Sequence, residues 1–394
     1  MPVSPATDNL SSLLLSSTSF IDVRAPVEFA RGAMPGALNL PLLDDRQREL
    51  VGTRFRQAGQ AAAIALGNSM VTPEIKQSRI AAWQQAIEAN PTAVLYCFRG
   101  GLRSQISQQW LAESGISITR VAGGYKSMRQ YLLDEIEIST QQLPIMVLGG
   151  RTGTGKTHLL KRLQRFIDLE GLARHRGSSF GRLTGKQPTN ADFENELAQV
   201  MLRQRLTGSD SRSESDIITD KHCTPVYLED EAKLIGRVAL PQTLKDQMAV
   251  APMVLLEETM QRRVEVARTD YIDELLEDYQ AQSGVEAGFE QWAEQHRQSL
   301  HRIRKRLGGV AFARASELLE CAVKVHKSEG NTECYDDFIE FLLSNYYDPM
   351  YDYQLQQKNR PVLFRGPADA LYEWAQNAEN HFAAFSSKCP VAPT

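Results

Sequence analysis

The stretch Gly150-Arg151-Thr152-Gly153-Thr154-Gly155-Lys156-Thr157 follows the apolar run Ile145-Met146-Val147-Leu148 and precedes spaced leucines at Leu159, Leu160 and Leu163. It satisfies G-x-x-x-x-G-K-[ST] at every position, a match expected by chance in about one chain in a hundred of this length. The motif works only where a buried strand delivers a glycine-rich turn into a helix N-terminus, because there successive backbone N–H groups converge on a phosphate. A parallel α/β sheet is therefore expected around it. Gly150, Gly153, Thr154, Gly155 and Lys156 are the expected phosphate contacts, and Thr157 could ligate magnesium. Apolar spacing through Phe166 and Ile167 predicts that the helix runs on until Gly171.

Further strands are expected at 225–228 and 253–256, both followed by acids. Glu229, Asp230 and Glu231 come directly after Val226-Tyr227-Leu228, where a metal-side carboxylate belongs, so Thr157, Glu229 and Asp230 form the expected magnesium set. Glu257 and Glu258 are the alternative. No Asn-Lys-x-Asp sequence follows the loop, which disfavours a guanine-reading switch. After about residue 260 the pattern turns helical.

A second reactive-looking loop lies upstream: Cys97-Phe98-Arg99-Gly100-Gly101-Leu102-Arg103-Ser104. Ala93 to Tyr96 reads as a short buried strand, and Ser104 to Ser114 as a helix. A cysteine between them can have its thiolate stabilised by loop N–H groups and the helix end, with Arg103 as a nearby cation. Cys97 and Arg103 are the expected catalytic pair. Phe98, Arg99, Gly100, Gly101, Leu102 and Ser104 form the rest of the loop. A cysteine that merely packs is the alternative, since free cysteine is among the most buried residue types.

At 394 residues the chain exceeds one ordinary core. The expected division is 1–138, a small parallel-sheet domain; 139–265, the phosphate-loop domain; and 266–394, a mainly helical region. The net charge of −4 argues against a wholly basic nucleic-acid binder but leaves room for local patches. Two such patches stand out. Arg174-His175-Arg176-Gly177-Ser178-Ser179-Phe180-Gly181-Arg182 combines cations, glycines and a ring able to stack on a splayed base. Its RNA-facing candidates are Arg174, His175, Arg176, Ser178, Ser179, Phe180 and Arg182. His301-Arg302-Ile303-Arg304-Lys305-Arg306 adds a basic helical face, which taken alone reads as a solvated surface. The five cysteines, Cys97, Cys223, Cys321, Cys334 and Cys389, are scattered and never in a C-x-x-C pair. Neither a disulfide framework nor a zinc ribbon is indicated, and a reducing cytoplasm fits best. No apolar run approaches membrane-spanning length.

Asp22-Val23-Arg24-Ala25-Pro26-Val27-Glu28-Phe29, Gly32-Ala33-Met34-Pro35-Gly36-Ala37 and Val121-Ala122-Gly123-Gly124-Tyr125 fall in order around Cys97 and resemble a rhodanese domain. In that family the equivalent cysteine carries transferable sulfur. Ala33 stands where a histidine is common, and the loop from Cys97 to Arg103 is one residue longer than in single-domain sulfurtransferases. The larger cradle leaves room for a bulkier atom or an oxyanion. Together with the phosphate loop and His175 to Gly181, the chain resembles the bacterial tRNA 2-selenouridine synthase family. The resemblance implies replacement of sulfur by selenium in 2-thiouridine at the tRNA wobble position, with selenophosphate as donor. It also implies geranylation of that sulfur from geranyl diphosphate. Cys97 would then carry or bind selenium, tRNA would bind through its anticodon region, and a selenophosphate-supplying enzyme would be a further partner. The phosphate loop could hold geranyl diphosphate, selenophosphate or a nucleotide. Two other readings are a cysteine-dependent phosphatase or sulfurtransferase coupled to a nucleotide-binding domain, and a non-catalytic nucleotide-sensing RNA binder.

Overall fold

The computed structural model describes residues 6–16, 18–207, 224–357 and 360–377, so Cys223 and Cys389 lie outside the described residues. The chain divides into two compact units, Met1–Ile138 with Thr189–Arg203, and Ser139–Pro188 with Gln204–Thr394.

The first unit carries β1 (Ala6–Thr7), β2 (Phe20–Asp22), β3 (Leu38–Asn39), β4 (Val94–Tyr96) and β5 (Thr119–Val121) in the order β1-β5-β4-β2-β3. All neighbours are parallel. Every residue of β2 and β4 is buried; β4 is apolar throughout, and the one charged residue of β2, Asp22, is paired with Arg24. Trp83 is fully buried beneath them, its indole N–H donating to Leu40 O at 2.9 Å. The helix Asp45–Met70 is broken at Gly59, where φ is +76°. Residues 189–203, although they follow the phosphate loop in sequence, belong to this unit. Asp192 Oδ1 accepts from Ala33 N at 2.8 Å, and Asn195 Nδ2 donates to Ala33 O at 2.7 Å. The turn in which alanine replaces the usual histidine is thus held through its backbone.

The second unit carries β6 (Ile145–Gly150), β7 (Phe166–Ile167), β8 (Val226–Glu229), a hairpin of β9 (Leu234–Ile235) and β10 (Val238–Ala239), then β11 (Met253–Leu256) and β12 (Val362–Gly366). Its main sheet is parallel in the order β12-β11-β6-β8-β7, placing β6 at the centre. The expected long helix after the phosphate loop is not formed. It ends at Leu160, and Phe166 and Ile167 pair with Tyr227 and Leu228 at the sheet edge. Asp168 then caps a separate helix, Leu169–Ala173, by accepting from Gly171 N at 2.6 Å. Leu159, Leu160 and Leu163 still share one core with Leu148 and Tyr227, so the apolar residues are inside as expected while the backbone serves two elements. The region after 266 is mainly helical, but β12 returns to pair with β11. Residues 139–188 and 204–394 therefore form one unit rather than two. No helix among the described residues is long and apolar enough to cross a membrane.

Candidate active site

Cys97 follows the last residue of β4, at the carboxyl end of the first sheet, where open α/β sheets present ligands. Its thiol donates to Ser104 Oγ at 3.2 Å, and that hydroxyl donates to Gly101 O at 2.9 Å. Cys97 is 3 % exposed. The loop needs its glycines: Gly100 has φ +64°, and a side chain there would stand 2.8 Å from Gly123 N. Arg120 donates to Gly100 O at 2.5 Å, while Tyr125 N and Lys126 N bond the carbonyls of Cys97 and Phe98 at 2.9 Å. The cradle is therefore held from beneath by the turn after β5.

Arg103 lines the cleft, but its guanidinium is gripped by Glu28 through two hydrogen bonds, of 2.5 and 3.2 Å. Burial alone would raise the Glu28 carboxyl; the bonds from Arg103, with Arg48 beyond, outweigh it and hold the group below the usual carboxylate range. Arg103 is thus a braced wall of the site rather than a free cation. Glu28 is a site residue that sequence reasoning missed. Arg99 lies over the Phe98 ring at 5.8 Å, and Phe98 and Leu102 are exposed. The cleft in front of Cys97 has a volume of about 690 Å³. Val51 and Phe55 of the helix Asp45–Met70 face Leu102, Ile106 and Trp110 across it. The lining mixes these apolar residues with charged ones, Glu28, Arg48, Glu49, Arg56, Arg99 and Arg103.

In the second unit Gly153 and Gly155 adopt φ of +82° and +78°, and the helix Lys156–Leu160 starts at Gly155. A side chain at Gly153 would stand 2.6 Å from Arg263 O. Arg263 is itself buried, donating to Thr152 O at 3.0 Å and to Asp348 at 2.5 Å, so it braces the loop. Lys156 Nζ donates to Gly150 O at 2.9 Å, and Thr154 Oγ1 to Arg151 O at 2.8 Å. The cleft over the loop, about 460 Å³, is lined by Lys156, Thr157, Lys161, Arg176, Ser178, Ser179 and Arg306. Two π-helical turns, Thr269–Asp273 and Leu343–Tyr347, contribute Tyr271, Tyr346 and Tyr347 to its rim. Such turns are rare and often sit at functional sites, and apolar periodicity gave no sign of them.

Of the expected magnesium set, Thr157 and Asp230 line the phosphate-loop cleft and Glu229 does not. Glu229 turns away, accepting from Leu169 N at 3.1 Å, and Asp230 is locked in a buried ion pair with Arg360 at 2.9 Å. Asp230 still lines the cleft over the loop, beside Glu231 and Glu170, and Glu170 accepts from Thr157 Oγ1 at 3.1 Å. Burial pushes Glu170 up against the pull of Lys156. Burial, then repulsion by Glu170, pushes Glu231 up to about 8. A carboxyl raised in the fold stabilises it below the unfolded value and loses that contribution as pH rises through the folded one. Stability should therefore fall between about pH 5 and about pH 9, and Glu231→Gln should flatten the decline. Urea unfolding across that range measures it; a wild type whose stability rises over the same range would contradict the assignment.

The RNA-facing candidates separate. Phe180 is 6 % exposed and packs on His296 and Phe338, with ring centroids at 5.8 and 6.1 Å; it is a residue of the helical core. Arg176 is ion-paired with Glu274 at 2.6 Å and bonds Asp270 O. Arg174 adopts φ +50° at the end of the helix Leu169–Ala173. His175 and Arg182 face each other in an antiparallel bridge. Ser178 and Ser179 border the phosphate-loop cleft.

A cysteine loop at the end of central β4 and a phosphate loop at the end of central β6 define a rhodanese-like domain fused to a P-loop domain. The family profile for the rhodanese-like domain matches residues 7–130, and that for the tRNA 2-selenouridine synthase AAA domain matches 143–382. Similar proteins include tRNA 2-selenouridine synthases of Marinobacter nauticus, 43% identical over 95% of this chain and 98% of its own length, and Hahella chejuensis, 44% identical over 97% of both. That of Alcanivorax borkumensis is 45% identical over 90% of this chain and 94% of its own. The chain belongs to the tRNA 2-selenouridine synthase family.

Proposed function

We propose that this chain is a transferase that replaces sulfur by selenium in a 2-thiouridine of tRNA, taking selenium from selenophosphate, after geranylation of that sulfur from geranyl diphosphate. The carrying observation is the cleft at Cys97: a thiol backed by the Ser104 hydroxyl, in a lining that joins apolar residues to arginines. Alkylation makes the sulfur a good leaving group. The selenium of selenophosphate, held against Cys97, then attacks carbon 2; the C–Se bond forms as the C–S bond breaks, the bonding pair leaves on sulfur as geranyl thiolate, which takes a proton from water, and a second water cleaves the P–Se bond, releasing phosphate and leaving selenium on the base. Val51, Phe55, Leu102, Ile106 and Trp110 suit an apolar leaving group of that kind. Fixed glycines and braced arginines keep the cradle open without help from bound substrate.

The phosphate loop holds the diphosphate of the prenyl donor. A diphosphate spans successive N–H groups better than a single phosphoryl does. Thr157 and Glu170 would hold a magnesium ion accompanying it, which neutralises the diphosphate charge. Lys156→Ala should weaken geranyl diphosphate binding by about 1.5–3 kcal/mol, the worth of a charge-assisted contact, and selenophosphate use less. Geranyl transfer into 2-thiouridine tRNA measures this. Equal transfer by wild type and variant would remove geranyl diphosphate from the loop.

A further inference from the structure

The two basic segments that stand more than a hundred residues apart in sequence meet in the fold. Arg302, on the helix Val285–Leu307, donates through Nη2 to Ser179 O at 3.3 Å and to Ser299 Oγ at 2.7 Å, which fixes its head group against the 174–182 loop. His175 and Arg182 are bridged on the same loop. Both Arg182 and Arg302 are exposed. Burial, and then Arg182, lowers Arg302, and no carboxylate acts to raise it. His175 is likewise pushed down by burial and then by Arg302 and Arg182. Other arginines of the same unit differ: Arg176 is held by Glu274 and Asp270, Arg263 by Asp348, Arg297 by Glu320. The helix that carries Arg302 is also segregated in charge. Glu286, Glu290 and Glu294 occupy its first half and Arg302, Arg304, Lys305 and Arg306 its end, with Arg306 reaching the phosphate-loop cleft.

Among the described residues neither Arg182 nor Arg302 has a carboxylate partner, and two such cations on a loop and the helix bonded to it repel each other until an anion supplied from outside relieves the repulsion. We propose that Arg182 and Arg302, flanked by His175, form a phosphate-binding site for the tRNA backbone beside the phosphate-loop cleft. The proposal rests on the reading that tRNA is the substrate. Arginine pairs suit it because each guanidinium can grip a phosphate through two parallel N–H bonds. Phosphate contacts fix register and orientation while leaving sequence to be read elsewhere.

The test is tRNA affinity by fluorescence anisotropy over a range of salt concentrations, for wild type, Arg182→Gln/Arg302→Gln and Arg182→Lys/Arg302→Lys, with Arg297→Gln as an ion-paired control. Loss of two phosphate contacts should lower the slope of log K against log salt by about 1.4–1.8, and weaken binding about 30-fold at 0.1 M salt. The lysine pair should keep most of the slope, and the Arg297 variant all of it. An unchanged slope in the glutamine pair, with wild type binding tRNA, overturns this site and leaves the tRNA reading intact. Absence of salt-dependent tRNA binding in wild type overturns the tRNA reading itself. A glutamine pair that loses affinity at constant slope, or a lysine pair as weak as it, shows a packing role and also overturns the site.

Discussion

Cys97→Ser is expected to abolish 2-selenouridine formation, a loss on the order of 10³-fold or more, as for removal of other nucleophiles. Serine preserves the volume and the contact with Ser104, so the cradle held by Gly100, Arg120 and Tyr125 should survive. What disappears is the thiolate, and with it the group proposed to meet selenium. Geranylation uses the tRNA sulfur as nucleophile and should persist, leaving geranylated 2-thiouridine to accumulate. Nucleoside analysis of the treated tRNA distinguishes the outcomes. Selenouridine at the wild-type rate would remove Cys97 from the chemistry, while loss of both activities would show that the cysteine cleft serves the alkylation step as well.

The second large effect is on stability. Phe180→Ala should cost about 3–5 kcal/mol, because it empties a position packed on His296 and Phe338 inside the helical core. Urea unfolding gives the value. The salt slope of tRNA binding should be unaffected in the folded variant, since no phosphate contact is lost. Unaltered stability with weakened tRNA binding would return Phe180 to the base-stacking role that its neighbours in sequence suggest.

That reversal shows where the sequence is legible and where it is not. Short strands buried on every residue and ending in glycine-rich turns declare themselves locally, so β4 with Cys97 and β6 with the phosphate loop could be placed from local pattern and motif spacing. The same apolar content misled at Phe166 and Ile167, because a buried run satisfies a helix and an edge strand equally; pairing with β8, invisible locally, decides it. Glu229 and Asp230 hold the expected place after a strand. Yet Leu169 N and Arg360, distant in sequence, engage them, while Glu170 from an unforeseen short helix reaches Thr157. Residues 189–203 carry no signal that they will clamp the backbone of Ala33. The seating of Arg302 on Ser179 of the 174–182 loop is likewise a tertiary fact.

The central claim is that this chain exchanges sulfur for selenium at carbon 2 of a tRNA uridine. Its most direct test is mass spectrometry of nucleosides from 2-thiouridine tRNA incubated with the purified full chain, geranyl diphosphate and selenophosphate. 2-Thiouridine should decline, geranylated 2-thiouridine should appear when selenophosphate is withheld, and 2-selenouridine should replace it when selenophosphate is added. Persistence of 2-thiouridine with no selenium-containing nucleoside, in tRNA that the protein binds, would contradict the claim.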